Sequence, residues 1–312
     1  MLGGHALRLG LGTVTAAAVA LAAVLLPSSG SGGSSRAPAP AAELDAAASP
    51  SRVVEATLYS SAIGAEMSYL VYLPPGYDSS PGRRYSVLYM LHGLGGDRYQ
   101  WRDLGLFAAA DSLIAAGSIE PLIIVTPDGR ASYWVDHAGN GPKWGTSVSR
   151  DLVNRIDTDY RTVANRYSRA IGGASMGGHG ALQLALTSGR FAVVGAHSIA
   201  LRSYESAFPY YGDRAYFEAH DPVSLCRKDP LRAEELTIWM DIGADDPWRG
   251  PATAFHDLLV SKGVAHEWRV DSGGHDGAYW RAHVRDYLLF YDRALRQTWE
   301  PPLAMSGDAP FP

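Results

Sequence analysis

One stretch, Gly172–Gly180, constrains this chain more than any other. It contains a G-x-S-x-G pattern centred on Ser175, and it stands between an apolar run predicted as a buried strand and the helix-forming run Ala181–Leu186. A serine in this setting is typical of a nucleophile elbow, a strained turn whose flanking glycines let strand and helix pass closely. Such a turn leaves the backbone N–H of Met176 free to face an oxyanion. The alternative is a glycine-rich turn with an ordinary serine.

The composition is that of an ordinary soluble globular protein. The chain has 312 residues, of which 46% are hydrophobic and 19% charged, enough for a full core. Its 27 basic and 32 acidic residues form no basic run, so we expect no nucleic acid partner. Cys226 is the only cysteine, which excludes an intramolecular disulfide and a cysteine-based metal cluster.

The N-terminus has the features of a targeting segment. A short basic start precedes the uncharged apolar run Leu9–Leu26, as in a secretory signal peptide, and the run is long enough that an uncleaved membrane anchor is the alternative. A stretch rich in Ser, Gly, Pro and Ala follows and predicts a flexible linker. The predicted divisions are a signal peptide at 1–26, a linker at 27–51, one catalytic domain at 52–301 and a tail at 302–312.

Apolar runs alternate with stretches of helical period along the predicted domain. Strands are predicted at Val53–Leu58, Met67–Leu73, Tyr85–Leu91, Leu122–Val125, Ala170–Ile171, Phe191–Ala196, Thr237–Ile242 and Glu267–Val270. Helices are predicted at Leu104–Ala115, Val148–Tyr160, Ala181–Leu186, Ala252–Lys262 and Ala278–Arg296. This alternation predicts an α/β fold with a mostly parallel sheet covered by helices on both faces. Chemistry is then expected in the loops at the carboxyl ends of the strands.

Two of those loops carry candidate partners for the serine. His275 is the only one of ten histidines in a glycine turn after the last predicted strand, and we expect it to take the proton of the Ser175 hydroxyl. A carboxylate would orient the imidazole and stabilise its charged form. The preceding strand and its turn offer Asp241, Asp245 and Asp246. We favour Asp246 because it lies just before a proline and is best placed to reach over the sheet.

The loop His92–Gly96 follows a predicted strand and is rich in glycine. It can supply a second backbone N–H to an oxyanion, beside that of Met176. We favour the N–H of Leu94, with Gly93 as the next choice, and a tight turn without a catalytic role is the alternative. His92 and His179 are expected to support the site rather than to react.

Several tryptophans stand in loops that the fold would bring to the same edge. We expect Trp134, Trp101 and Trp248 to line a cleft where an aryl or sugar group could stack. Packing in the core is the alternative for each of them.

Five motifs together resemble the esterase D family of α/β-hydrolases. They are Tyr72–Tyr77, Leu91–Gly96, Ser175–Leu182, Gly243–Asp246, and Gly274–Asp276 with Trp280. That family includes S-formylglutathione hydrolases, feruloyl and acetyl xylan esterases, enterochelin-type esterases and secreted mycolyltransferases. The resemblance covers about Val53–Leu295 and implies an α/β-hydrolase fold without a large cap domain.

The resemblance also implies roles for particular residues. Matched motif by motif, it makes Ser175 the nucleophile, Asp246 the acid and His275 the base, with the N–H groups of Leu94 and Met176 as oxyanion donors. It implies no metal and no organic cofactor.

The function expected on these grounds is that of a secreted serine carboxylic-ester hydrolase working through an acyl-enzyme. Its substrates would be acyl or feruloyl esters of carbohydrates, or similar small esters. The leader disfavours the cytosolic S-formylglutathione hydrolases. The aspartates of the acidic turn disfavour the mycolyltransferases, which use a glutamate. A secreted acyltransferase and a non-catalytic binding module on a hydrolase scaffold are the alternatives.

Overall fold

The computed structural model describes residues 49–299 of the chain. The predicted signal peptide at 1–26, nearly all of the predicted linker and the predicted tail at 302–312 lie outside the described residues. The first strand begins at Arg52 and the last helix ends at Trp299.

A single sheet of eight strands lies at the centre of the described residues. The strands are β1 Arg52–Ser60, β2 Ala65–Leu73, β3 Val87–Leu91, β4 Ile123–Pro127, β5 Arg169–Ala174, β6 Val193–His197, β7 Thr237–Gly243 and β8 Glu267–Asp271. Their spatial order is β1-β2-β4-β3-β5-β6-β7-β8. The pairs β1–β2 and β2–β4 are antiparallel, and all other neighbours are parallel. All eight predicted strands are thus confirmed, with ends that differ by a few residues, and the sheet is mostly parallel as predicted.

Helices follow each strand from β3 to β8. They are α1 Gln100–Asp103, α2 Leu106–Ala115, α3 Trp144–Thr146, α4 Val153–Asp159, α5 Met176–Ser188, α6 Arg214–Glu218, α7 Pro222–Lys228, α8 Leu231–Glu234, α9 Arg249–Ser261 and α10 Gly277–Trp299. A π-helical segment, Ser147–Leu152, joins α3 to α4, where one regular helix is predicted. The short helices between β6 and β7 have too few turns to show a helical period in the sequence. Within residues 49–299, no helix is both long and apolar enough to cross a membrane.

The core has two halves, one on each face of the sheet. Along β3, Leu88 and Met90 face the half that contains α2 and α10. Tyr89 and Leu91 face the half that contains α4, α5 and α9. Side chains alternate across a strand, so a strand buried on both faces is apolar along most of its length. This explains why β3 to β6 are nearly continuous apolar runs in the sequence.

Candidate active site

Ser175 occupies the sharp turn between β5 and α5. Its backbone has φ 58° and ψ −118°, a left-handed conformation that is strained for any residue with a side chain. A Cβ placed on Gly177 would lie 2.2 Å from the carbonyl oxygen of Leu91, so the close passage of α5 over β3 requires glycine there. Met176 is the first residue of α5, and its N–H therefore has no acceptor within the helix.

His275 lies in the loop between β8 and α10 and connects the serine to a carboxylate. Its Nε2 lies 2.8 Å from Ser175 Oγ, and its Nδ1 lies 2.7 Å from Asp246 Oδ2. The other carboxylate oxygen of Asp246 accepts the backbone N–H of Trp248 at 2.8 Å. Because an ionised carboxylate only accepts, Nδ1 carries the proton and Nε2 is left to accept the serine hydroxyl. This is the tautomer that a general base requires.

The three candidate aspartates have different surroundings. Asp246 is 4% exposed and contacts His275. The side chain of Asp245 is exposed, and its backbone N–H donates to the carbonyl of Gly273 at 2.9 Å. Asp241 is buried in β7 and is paired elsewhere. The structure therefore brings Asp246, and neither of the other two, to the imidazole.

A tight turn after β3 holds the backbone N–H groups expected to face an oxyanion. The N–H of Gly96 donates to the carbonyl of Gly93 at 3.0 Å, and Gly95 has φ 83°, as a type II turn requires at its third residue. The Gly93 N–H is occupied, because it donates to Gln100 Oε1 at 3.1 Å. The Leu94 N–H donates to no group among residues 49–299. Of the two N–H groups considered from the sequence, that of Leu94 is the one available to a ligand.

A second pair of histidine and aspartate, not predicted from the sequence, lies buried in the sheet. His197 Nδ1 is 2.6 Å from Asp241 Oδ1, and its Nε2 is 2.9 Å from the hydroxyl of Tyr291. The other oxygen of the aspartate accepts the hydroxyls of Tyr279 and Tyr287 at 3.0 and 3.1 Å. Burial, and secondarily the nearby carboxylate, raises the pKa of all three tyrosines. Because His197 is fully buried, this pair cannot reach a substrate.

The buried pair supports the turn that carries the serine. The backbone N–H of Ser175 donates to the carbonyl of His197 at 2.9 Å, and the N–H of Ser198 donates to the carbonyl of Asp241 at 2.8 Å. The register of β6 and β7 places His197 opposite Asp241. Neither segment alone carries a sequence signal for this pairing, because the register joins residues that are far apart in the chain.

The expectation that Trp101 lines a cleft is wrong. Its side chain is fully buried in the core half beside α10, and its indole N–H donates to the carbonyl of Leu91 at 2.9 Å. Trp248 is partly exposed and begins α9 beside the acidic turn, so it is the one of the three that a ligand can still reach.

The expectation for Trp134 is also wrong. Its side chain is fully buried, and its indole N–H donates to the carbonyl of His92 at 3.1 Å. A Cβ placed on Gly129 or Gly180 would lie 2.3 or 2.4 Å from it. The indole thus fills the space that these two glycines leave open, and it holds the loop after β4 against α5.

The two histidines expected to support the site do so by different means. His92 Nδ1 donates to the carbonyl of Gly93 at 2.8 Å, and Nε2 accepts the N–H of Gly129 at 2.9 Å, so both ring nitrogens hold loops. His179 is buried against Tyr133, with ring centres 5.3 Å apart. Burial, and secondarily the charge of a nearby arginine, lowers the pKa of His179 to about 3. It therefore stays neutral at physiological pH.

The strand order and the placement of the site define a class of protein. A mostly parallel sheet carries a serine in a strained turn after β5, an aspartate after β7 and a histidine after β8. This is the arrangement of an α/β-hydrolase.

Within that class, the chain belongs to the Esterase family, whose sequence profile matches residues 60–291. It is 32% identical over 253 residues to the proteins Esterase MT1326 and Esterase Rv1288 of Mycobacterium tuberculosis, an alignment that covers 69% of this chain and 54% of each relative. The chain thus spans about half the length of these curated relatives. It is 22% identical over 261 residues to an acetyl esterase of Caldicellulosiruptor saccharolyticus, covering 74% of this chain and 95% of that one.

Solved structures share the same fold. A ferulic acid esterase superposes with a TM-score of 0.70 at 27% identity, covering 79% of this chain and 99% of the other. An S-formylglutathione hydrolase from Agrobacterium tumefaciens superposes with a TM-score of 0.67 at 21% identity, covering 80% and 97%.

Proposed function

We propose that this protein is a secreted serine carboxylic-ester hydrolase that works through an acyl-enzyme. The observation that carries the proposal is the continuous hydrogen-bonded chain from Ser175 Oγ through the His275 imidazole to the Asp246 carboxylate. A serine hydroxyl is a poor nucleophile at neutral pH unless a base removes its proton. Membership of the Esterase family supports the same conclusion.

The geometry suggests the course of the reaction. Ser175 Oγ attacks the ester carbonyl while His275 Nε2 takes its proton, and Asp246 stabilises the imidazolium. The N–H groups of Leu94 and Met176 would hold the developing oxyanion. His275 then gives its proton to the departing alcohol. Water, deprotonated by the same imidazole, releases the acid and restores the serine. The residues that carry these steps need no metal or organic cofactor.

For the substrate, we propose acyl or feruloyl esters of carbohydrates, or similar small esters. The support comes from relatives described as a ferulic acid esterase and an acetyl esterase. Transfer of the acyl group to a sugar or lipid alcohol uses the same acyl-enzyme and is distinguished by its product.

The proposal is tested by hydrolysis of a panel of esters beside the Ser175→Ala variant. The panel contains p-nitrophenyl acetate, longer acyl esters, methyl ferulate and acetylated xylan. Turnover by the wild type and its loss in the variant would support a serine esterase, and the preferred ester would define the substrate class. A new ester formed only when a sugar acceptor is added would indicate a transferase. Absence of turnover together with no fluorophosphonate labelling of Ser175 would contradict both.

Secretion rests on the sequence of residues 1–26 alone. Expression of the full chain with its leader, followed by mass spectrometry of the protein from the medium, tests it. A mature N-terminus after residue 26 is expected, and intact protein retained in cells would contradict it.

A further inference from the structure

Arg202 is a cation without an acidic partner at the edge of the sheet that carries Ser175. It lies in the loop after β6, two residues beyond Ala200, whose N–H donates to the carbonyl of Ser175 at 3.2 Å. Among the ion pairs within residues 49–299, none includes Arg202. The neighbouring acid Glu205 pairs instead with Arg214 at 2.7 Å.

Aromatic rings from three loops surround the guanidinium group. Its central carbon lies 4.7 Å from the ring centre of Phe208, 5.4 Å from that of Trp248 and 5.5 Å from that of Tyr133. Nε donates to the hydroxyl of Tyr133 at 2.9 Å, and Nη1 donates to the carbonyl of Ser206 at 3.2 Å. Cation–π contacts and these two hydrogen bonds hold the group in one orientation.

Part of the guanidinium group remains available. An arginine has five N–H donors in a planar fork, and the contacts within residues 49–299 use two of them. Both N–H groups of Nη2 are without an acceptor there. Arg202 is half-buried, and no carboxylate among residues 49–299 forms an ion pair with it. Such a group favours a planar anion that can accept two hydrogen bonds, as a carboxylate does.

The surroundings of Arg202 connect it to the proposed catalytic triad of Ser175, His275 and Asp246. Trp248 stands two residues after Asp246 and donates its backbone N–H to that carboxylate. Tyr133 packs against His179 in α5, the helix that begins directly after Ser175. A ligand bound to Nη2 would therefore lie beside the loops that hold the nucleophile and the acid.

We propose that Arg202 is a specificity-determining residue that binds a carboxylate of the ester substrate, away from the bond that is cleaved. The inference rests on the proposed esterase function and deepens it. The substrates it favours are esters that carry a free carboxylate, in the acyl half (a dicarboxylic acid monoester) or in the alcohol half (an ester of a hydroxy acid). The chemistry recognised is the same in both cases.

Two matched pairs of substrates test the inference with the full-length protein. For the acyl half, mono-p-nitrophenyl glutarate is compared with its methyl ester; for the alcohol half, 4-acetoxybenzoate is compared with methyl 4-acetoxybenzoate. The measured quantity is the ratio of kcat/KM for the charged ester to that for the neutral ester. In Arg202→Met this ratio is expected to fall about tenfold or more in one pair, as for loss of a charged hydrogen bond. The pair that responds identifies which half carries the carboxylate.

Two control variants separate recognition from structural damage. Arg202→Lys keeps the charge but loses the planar fork, so it should retain only part of the ratio. Tyr133→Phe removes one hydrogen bond to Arg202 but leaves its free N–H groups, so it should retain most of the ratio. In the wild type, rising ionic strength should lower the ratio, because salt screens the ion pair. This last measurement needs no variant to fold.

The inference is wrong if the ratio is the same in wild type and Arg202→Met for both pairs, or if it is insensitive to salt in the wild type. Equal losses on charged and neutral esters would make Arg202 a structural residue. If the wild type fails to hydrolyse even the neutral esters, the proposed esterase function itself fails.

Discussion

The carboxylate of Asp246 lies 2.7 Å from the imidazole of His275, while the side chain of Asp245, one residue earlier, is exposed. The difference arises from the turn after β7. The N–H of Asp246 donates to the carbonyl of Gly243 at 3.1 Å, and the N–H of Asp245 donates to Gly273 at 2.9 Å. The first bond closes the acidic turn on the end of β7, and the second ties that turn to the loop that carries the histidine.

The two aspartates should therefore respond very differently to substitution. We expect Asp246→Asn to lower kcat on the order of 10⁴-fold, because an amide favours the wrong imidazole tautomer. Asp245→Asn removes only an exposed charge, so its kcat should stay close to that of the wild type. Steady-state kinetics on p-nitrophenyl acetate checks both. The assignment of the acid is wrong if Asp245→Asn is the more damaging change.

The elbow should not accept a side chain at Gly177. In Gly177→Ala the new Cβ would meet the carbonyl of Leu91 at 2.2 Å, and α5 would have to move away from β3. We expect a loss of several kcal/mol in the free energy of unfolding, in the range of overpacking with backbone shifts. Gly250→Ala in α9 is the matched control, because a Cβ there meets nothing within 4 Å. Urea unfolding of both variants compares them, and equal midpoints would contradict the steric argument.

Replacing the buried Trp101 should destabilise the protein more than replacing the partly exposed Trp248. Trp101→Ala opens a cavity in the core, and we expect it to cost about 3–5 kcal/mol of stability. Trp248→Ala truncates a partly exposed ring and should cost much less. Thermal unfolding measures the stability of both variants, and the dependence of the hydrolysis rate on substrate concentration gives their KM values. If Trp101→Ala raises KM but leaves the melting temperature unchanged, Trp101 contacts the substrate and its assignment to the core is wrong.

His179 should make the protein less stable as the pH falls. Its pKa is lowered from the ordinary 6.5 to about 3 in the folded protein, so between those values the unfolded chain binds a proton that the native state does not. This contribution to stability is fully present above the unfolded pKa and falls by about 1.4 kcal/mol per pH unit below it.

The measurement compares the wild type with His179→Leu by urea unfolding at several pH values from about 6.5 down to about 4.5. The free energy of unfolding should fall less steeply with decreasing pH in the variant, because the unfolded chain has lost that proton site. Above pH 7 both slopes should agree. Identical slopes throughout would mean that the buried imidazole does not resist protonation.

The sequence by itself determined the features that depend on neighbouring residues. Apolar runs and helical period located the eight strands and the longer helices. The Gly-x-Ser-x-Gly turn between strand and helix indicated Ser175, and a glycine turn after the last strand singled out His275. These patterns are local, because strand burial, helical period and turn chemistry are each set within a few residues.

Only the tertiary structure decided which side chains meet. Neighbours in the sequence could not show that Trp101 faces the core while Trp248 stays at the surface. Nor could they show that three loops enclose the guanidinium group of Arg202. The pairing of His197 with Asp241 depends on the register of two strands whose residues are more than forty positions apart. Burial and pairing at such distances are properties of the packed sheet, because they follow from which faces come together and not from the order of residues along the chain.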